Sequence, residues 1–247
     1  FATYILLLRK KYSILVNINE HRFYLGLLLL VISAGVFLLT QGGIYAFGTS
    51  FRVGLFETVT ALTGTGYSIV DNYTVLPAAF LLLSIMLMTT GGQSGSTTGG
   101  LKVTRVHLMV KTFKHTIVRS FQAERQVTDN VVTTPSGEKN IHRQDMVHIY
   151  NYVMVYITVL IIGSIILASQ GFSVTESFFE YASALGTVGL SIGVTNAGLS
   201  GIAYWSMTLG MFLGRLEFLV VFVVFVKLYR DTVTTIKSKM PSNDALQ

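Results

Sequence analysis

The sequence predicts an all-α integral membrane fold made of two similar units, each with two membrane spans and a short re-entrant helix between them. The chain has 247 residues, of which 51% are hydrophobic and only 12% are charged, and its mean hydropathy of +0.59 is well above that of soluble domains. Four apolar stretches approach or reach the roughly 20 helical residues that a bilayer core requires, at about 23–47, 76–90, 146–168 and 199–226. One sequence segment also occurs twice, once between the two spans of each pair.

The placement of the basic residues predicts how the spans are oriented. Sixteen of the 18 Lys and Arg residues lie in three stretches, 9–22, 102–143 and 227–239, which share one side if every apolar stretch crosses the bilayer once. Cytoplasmic loops of membrane proteins carry an excess of Lys and Arg, so this side is predicted to be cytoplasmic. We therefore attribute the net charge of +6 to membrane orientation and lipid headgroups, and expect no nucleic-acid partner.

The two predicted outer segments, 48–75 and 169–198, are acidic instead. Their one basic residue is Arg52, and their acidic residues are Glu57, Asp71, Glu176 and Glu180. Such a balance attracts cations and repels anions. We therefore expect these acidic side chains to favour the approach of cations from outside.

The repeated segment lies between the two spans of each pair. Residues 56–69 align with residues 179–192 at a constant offset of 123, and Phe, Glu, Ala, Leu, Gly, Ser and Ile coincide without a gap. Each copy contains about a dozen residues that could form a helix too short to cross a bilayer. The pattern therefore predicts a span, a re-entrant helix, a loop and a second span in each unit.

A non-helical loop at membrane depth is tolerated only where it is buried in protein or lines a water-filled path. A short helix that enters from outside directs its partially negative end inward, and the loop after it can offer carbonyl oxygens in place of the hydration shell of a cation. Gly66 and Gly189 suit such loops because glycine reaches backbone conformations that other residues avoid. The alternative is that these glycines only form turns between helices.

A run of small residues interrupts the second predicted span. It covers 89–102 and consists mainly of Gly, Ser and Thr, which weaken a helix and leave polar groups free to line a wet cavity. A close helix-packing face is the alternative interpretation. A phosphate-binding loop is excluded because Leu101 follows Gly100 where that motif requires Lys.

Two opposite charges, Arg215 and Glu217, lie within the last apolar stretch. Charges inside a membrane cost several kcal/mol unless they are paired or hydrated, so they are functional candidates by default. A purely structural ion pair between two helices is the alternative.

In these motifs the chain resembles the Trk/Ktr/HKT superfamily of potassium and sodium transport proteins, in which four membrane-pore-membrane units surround one pore with fourfold pseudosymmetry. The resemblance implies that the two loops are the filters of the third and fourth units and hold K⁺ at backbone carbonyls: Thr63, Gly64, Thr65, Gly66 and Tyr67, and Thr187, Val188, Gly189 and Leu190. It implies that Leu190-Ser191, in place of the Tyr-Gly of ordinary potassium channels, belongs to a looser filter.

The resemblance also assigns roles to the other two motifs. It implies an intramembrane gating loop below the filters, made of Gly91, Gly92, Gln93, Ser94, Gly95, Ser96, Thr97, Thr98, Gly99 and Gly100. It further implies that Arg215 faces the permeation path as a barrier to cations, and we expect Glu217 to offset it.

The expected domain organisation follows from these assignments. Residues 1–21 would end a preceding span and connect it to the third pore unit at 22–118, which includes the gating loop at 89–102. A cytoplasmic linker at 119–145 would lead to the fourth pore unit at 146–230 and a cytoplasmic tail at 231–247.

Two units cannot close a fourfold pore, so further units are expected from the same polypeptide, a second chain or self-association. The resemblance implies a plasma-membrane homodimer with a cytosolic nucleotide-binding regulatory subunit.

The favoured hypothesis for function is potassium uptake through a selective pore, with K⁺ as the transported ion, no covalent cofactor and no catalytic residue. A sodium or mixed transporter of the same superfamily and a cation-coupled symporter remain alternatives. An ATP-driven pump is disfavoured because the polar linker of about 27 residues is too small for an ATPase domain. A structural membrane scaffold would leave the repeated loops unexplained.

Overall fold

The computed structural model describes residues 18–121, 131–134, 137–141, 143–216 and 218–239. Within these residues the chain forms eight α-helices and one two-stranded antiparallel hairpin. The helices are α1 Asn19–Gln41, α2 Phe47–Thr63, α3 Ala78–Thr90, α4 Val103–Ser120, α5 Arg143–Ala168, α6 Val174–Leu185, α7 Gly201–Leu216 and α8 Phe218–Lys239, and the strands are β1 Val131–Thr134 and β2 Gly137–Asn140.

The same order of elements occurs in both halves of the chain. In each half a long helix, α1 or α5, packs against a short one, α2 or α6, which also contacts the helix that follows it, α3 or α7. The halves meet where α3 packs against α6. Each short helix is therefore packed between two neighbouring helices, and every α6 residue from Phe179 to Leu185 is buried. Helix α2 buries one side and leaves Phe47 and Phe51 exposed.

Both short helices have defined ends. The Ser173 side chain and the Glu176 side chain form a reciprocal capping box that starts α6. Helix α2 ends at Gly64, which adopts a left-handed conformation with φ of 65°. With 17 residues in α2 and 12 in α6, these helices rise only about 26 and 18 Å and fall short of a bilayer core of about 30 Å.

Helices α1 and α5 are the described helices that are both long and apolar enough to cross a membrane, with 23 and 26 residues. Helix α3 is apolar but has only 13 residues. Large apolar side chains point away from the protein on both long helices, including Leu29, which is 70% exposed, and Met154, which is 69% exposed. Such surfaces match a lipid environment better than water.

The predicted and observed boundaries differ in several places. The stretch 76–90 holds α3 alone, and the chain resumes a helix as α4 after the small-residue run. The stretch 199–226 contains α7 and the first part of α8, which extends to Lys239. The range assigned to the linker holds the hairpin and the start of α5.

The hairpin means that the described chain is mostly helical but not entirely so. Strands β1 and β2 pair in register from Val131 with Asn140 to Thr134 with Gly137. Strand β1 also contacts α1. A four-residue strand is too short for its alternation of side chains to be recognised in the sequence, so the hairpin was not predicted. Its contact with α1 is a tertiary interaction that a local sequence pattern does not report.

Candidate functional site

The loop after α2 begins with two left-handed residues that are separated by one residue. Gly64 has φ of 65° and Gly66 has φ of 80°. Between them, the Thr65 amide donates a hydrogen bond to the Thr60 carbonyl at 3.1 Å. The loop thus turns back on the last turn of the helix before it continues.

The loop after α6 repeats this backbone pattern at the same offset of 123. Thr187 has φ of 53° and Gly189 has φ of 94°. The Val188 amide donates to the Ser183 carbonyl at 2.9 Å, and the Gly189 amide donates to the Ser183 hydroxyl at 3.1 Å. A left-handed threonine is uncommon, and Thr187 is held in place because its hydroxyl accepts a hydrogen bond from the Gly99 amide at 2.9 Å.

The two loops touch each other at Gly66. A Cβ atom at this position would overlap the Val188 carbonyl oxygen, so glycine is required by close approach as well as by its positive φ. At Gly189 a Cβ atom would meet no described atom within 4 Å, and its φ alone favours glycine. The structure therefore brings the two predicted filter segments together at one point.

A buried carboxylate holds the C-terminal part of the first loop. Glu57 is 1% exposed, and its Oε1 accepts hydrogen bonds from the Ser68 hydroxyl at 3.0 Å and the Ile69 amide at 2.9 Å. Its Oε2 accepts a hydrogen bond from the Tyr73 hydroxyl. Tyr73 packs in turn on the ring of Phe179 in α6, with ring centroids 5.1 Å apart.

Glu180 holds the second loop through equivalent partners. It is 2% exposed and accepts hydrogen bonds from the Ser191 hydroxyl at 2.7 Å and the Ile192 amide at 3.0 Å. Thr195 donates to the same carboxylate from its amide at 3.0 Å and from its hydroxyl. Relative to each glutamate, the serine and isoleucine donors stand at the same separations in the sequence, 11 and 12 residues, in both units.

These contacts correct the expectation that Glu57 and Glu180 attract cations at the outer surface. Both side chains are buried, and their charge is directed to donors within the protein. The sequence did contain a signal for this role, because the glutamate, the serine and the isoleucine are all among the identical positions of the repeat.

The small-residue run forms a compact loop between α3 and α4. Its two ends are joined because the Leu101 amide donates to the Thr89 carbonyl at 2.9 Å and the Val103 amide donates to the Gly92 carbonyl at 3.0 Å. This loop also reaches the second predicted filter segment. The Gly99 amide donates to the Gly186 carbonyl at 3.1 Å as well as to Thr187.

Side chains from α1 and α5 also hold this loop. The Glu20 carboxylate of α1 accepts hydrogen bonds from the Ser94 amide at 3.0 Å, the Ser94 hydroxyl at 3.2 Å and the Thr104 hydroxyl at 2.6 Å. The Tyr152 hydroxyl of α5 donates to the Gly100 carbonyl at 3.3 Å. Glu20 and Tyr152 were not among the residues that the sequence suggested.

Lys102 ends the loop and turns inward. Its side chain is buried, and its ammonium group donates to the Ser96 carbonyl at 2.9 Å and to the Thr98 carbonyl. The sequence analysis placed the basic stretch that contains Lys102 at lipid headgroups, and this prediction is wrong for Lys102 itself. Its position directly after the small-residue run was the sequence feature that could have indicated a contact with the loop.

Arg215 and Lys102 line one cavity of about 220 Å³. The rest of its lining is largely polar and comprises Ser94, Ser96, Thr97, Thr98, Gly100, Tyr152 and Gly214. No carboxylate of the described chain lines it. A Cβ atom at Gly214 would overlap the Leu185 carbonyl oxygen, so the end of α7 lies against the end of α6. Glu217 lies outside the described residues.

The described residues contain no cluster of three or more His, Cys, Asp or Glu side chains that could hold a metal ion. The predicted filter residues differ in their surroundings. The Tyr67 side chain is 72% exposed, whereas the Leu190 side chain at the equivalent position is 4% exposed. A second cavity of about 310 Å³ lies beside the second loop and is lined by residues that include Glu180, Val188 and Gly189.

Comparisons with known proteins agree on one family. The family model described as TrkH, a cation transport protein, matches residues 27–234. The chain is 28% identical over 225 residues to the Trk system potassium uptake protein TrkG of Escherichia coli. This alignment covers 90% of this chain and 45% of TrkG. It is 29% identical over 235 residues to the Trk system potassium uptake protein TrkI of Halomonas elongata, which covers 93% of this chain and 46% of that protein.

The fold is also similar to a solved structure, the potassium transporter TrkH from Vibrio parahaemolyticus. The TM-score is 0.70 at 23% sequence identity, and the match covers 84% of this chain and 44% of that one. The chain thus spans less than half the length of these relatives.

Proposed function

Because the chain belongs to the TrkH family of cation transport proteins, we propose that it supplies two of the pore units through which potassium ions enter a cell. The observation that carries this proposal is the contact between two loops of matching backbone conformation, where Gly66 meets the Val188 carbonyl. The potassium uptake proteins TrkG and TrkI, as their names describe them, support K⁺ as the transported ion.

In the proposed mechanism, carbonyl oxygens of residues 63–67 and 187–190 replace the hydration shell of a potassium ion. Helices α2 and α6 end at these loops, so their partially negative C-termini favour a cation there. Glu57 and Glu180 fix the outer end of each loop through buried hydrogen bonds. The chain then acts by positioning backbone dipoles and needs no covalent chemistry.

The loop of residues 91–100 is proposed to close the path below the filter segments. Its support is the pair of hydrogen bonds from Gly99 to Gly186 and Thr187, which put the loop directly against the second filter segment. Arg215 is proposed to add a barrier to cations, since it lines the cavity beside this loop and no described carboxylate is part of that lining.

A complete pore in this proposal has four units with fourfold pseudosymmetry. The two further units would come from the rest of the same polypeptide, from a second chain or from self-association. We further propose a multi-pass plasma-membrane homodimer, with α4, the hairpin and the C-terminal end of α8 on the cytoplasmic side, where a nucleotide-binding regulatory subunit would bind.

Uptake of ⁸⁶Rb⁺ into liposomes tests the function. The sample is the assembled transporter that contains this chain, and the matched control is the same assembly with Gly66→Ala, whose Cβ would overlap a filter carbonyl. We expect added K⁺ to inhibit ⁸⁶Rb⁺ uptake more strongly than added Na⁺ does. We expect the Gly66→Ala assembly to take up less ⁸⁶Rb⁺ than the wild type. Uptake that is equal in protein-free liposomes and in wild-type liposomes would rule the proposal out.

A further inference from the structure

Lys102 is a positively charged side chain that is enclosed by the loop it terminates. Only 9% of the residue is exposed. Its ammonium group lies 2.9 Å from the Ser96 carbonyl, 3.3 Å from the Ser96 hydroxyl and 3.4 Å from the Thr98 hydroxyl, and it also donates to the Thr98 carbonyl. These four oxygens belong to two carbonyl groups and two hydroxyl groups.

These four oxygens are of the type that binds alkali cations. Backbone carbonyls replace the hydration shell of K⁺ in selectivity filters, and hydroxyl oxygens are ligands of similar hardness. A lysine ammonium is a compact point charge with three donors, so it can occupy a ring of carbonyl and hydroxyl oxygens much as a small cation would. The carbonyl and hydroxyl oxygens of Ser96 and Thr98 form such a ring, and the Lys102 ammonium occupies it as a bound cation would.

The ring is hydrogen-bonded to the start of the loop and is adjacent in sequence to its contact with the second filter segment. The Thr98 hydroxyl accepts a hydrogen bond from the Gly92 amide at 3.0 Å and shares one with the Ser96 hydroxyl at 2.6 Å. Gly99, the next residue, makes the contacts with the second filter segment. Loss of the ammonium would leave two partly buried carbonyls without this donor, next to the point where the loop meets that segment.

The backbone of Lys102 is also unusual. It has φ of 65°, a left-handed conformation that a lysine rarely adopts. Its carbonyl accepts hydrogen bonds from the Arg105 amide at 3.0 Å and the Val106 amide at 3.3 Å, so this residue directly precedes α4 and caps its first turn. Such a conformation persists only where the surrounding contacts fix it, and the ring around the ammonium provides those contacts.

We propose that Lys102 is a positioning residue that holds the intramembrane loop closed by acting as its internal cation. This inference rests on the proposed role of the loop as a gate. Release of the ammonium would free the segment from Ser96 to Gly99 from the second filter segment and open the path. The filter loops themselves would keep their own hydrogen bonds.

The test measures loop opening directly and does not depend on transport. This chain has no cysteine, so Leu101→Cys, at a partly buried position next to Lys102, is the one thiol it contributes to an assembled transporter whose other segments are cysteine-free. The rate of modification by a charged methanethiosulfonate reagent is compared in wild-type, Lys102→Gln and Lys102→Arg backgrounds. The matched control is Lys114→Gln, which removes an exposed lysine from α4, the helix that follows Lys102.

We expect Lys102→Gln to speed the modification roughly tenfold, the change that loss of one charge-assisted hydrogen bond would give. Lys102→Arg keeps the charge and should remain close to wild type, as should Lys114→Gln. In ⁸⁶Rb⁺ uptake, Lys102→Gln should raise the basal flux and leave the preference for K⁺ over Na⁺ unchanged.

Equal modification rates in Lys102→Gln and Lys114→Gln would overturn the proposal, and so would a rate in Lys102→Arg as high as in Lys102→Gln. If Lys102→Gln does not fold, the comparison of Lys102→Arg with wild type still decides, because a tenfold faster rate there would contradict a charge-based role. If the assembly transports no ⁸⁶Rb⁺, the proposed function fails, and the modification rates still report whether Lys102 closes the loop.

Discussion

Substitution of Glu180 by Gln should loosen the second filter loop more than any other isosteric change in its surroundings. The carboxylate is buried and accepts hydrogen bonds from Ser191, Ile192 and Thr195. In glutamine an NH₂ group replaces one of the two carboxylate oxygens, and this group donates hydrogen bonds but cannot accept them. At least one buried donor is then left without a partner, and the others lose a charged acceptor.

The expected cost can be worked out from these contacts. A hydrogen bond to a charged group contributes about 1.5–3 kcal/mol, and an unsatisfied buried donor costs about 1–3 kcal/mol. We therefore expect Glu180→Gln to lower the free energy of unfolding by about 3 kcal/mol, with most of the change at the loop. Because the hydrogen bonds of Glu57 to Ser68 and Ile69 match those of Glu180, Glu57→Gln should cost a similar amount.

Chemical unfolding of the assembled transporter in mixed micelles measures this cost, and a K⁺ to Na⁺ flux ratio in liposomes measures its effect on the loop. Glu176→Gln is the matched control because Glu176 lies on the same helix but is only partly buried in its capping box. A cap of this kind contributes about 1 kcal/mol. If Glu180→Gln proves no more destabilising than Glu176→Gln and the flux ratio is unchanged, the buried carboxylate does not hold the loop.

The other predictions concern the barrier, the loop and the helix cap. Arg215→Ala should raise K⁺ flux roughly tenfold, because a like charge at about 5 Å in a partly hydrated path costs about 1–2 kcal/mol; unchanged flux in a less stable protein would indicate a structural role. Deletion of residues 94–98 should raise basal ⁸⁶Rb⁺ uptake at unchanged selectivity, and reduced uptake by folded protein would favour a helix-packing role. Hydrogen bonds from Ser173 lower the pKa of Glu176, so the stability from this cap is present above the ordinary Glu pKa and is lost as the pH falls. Ser173→Ala should therefore cost about 1 kcal/mol at pH 7 and less at pH 3 in chemical unfolding.

The internal repeat made the backbone of the candidate site predictable from the sequence. The alignment of residues 56–69 with 179–192 identified Gly66 and Gly189, and both have positive φ. The small-residue run at 89–102 predicted a break in a helix, and α3 does end at Thr90. Sequence identity within a repeat carries this information because equivalent positions must adopt equivalent backbone conformations.

The side-chain contacts were not predictable in the same way. Charge alone suggested that Glu57, Glu180 and Lys102 face water or headgroups, since buried charges are rare without partners. Their partners come from distant loop backbones and hydroxyls, as with the Ile192 amide, and no local pattern reports such groups. The bond between Glu20 and Ser94 joins residues 74 positions apart and depends on how α1 packs.

We propose that Gly66 and Gly189 belong to a potassium-selective filter. The bi-ionic K⁺ to Na⁺ flux ratio of the assembled transporter with Gly66→Ser or Gly189→Ser tests this role. We expect both variants to lower the ratio, and Gly66→Ser to lower it further because its side chain would also overlap the Val188 carbonyl. A wild-type ratio in both variants, measured on folded and inserted protein, would contradict it.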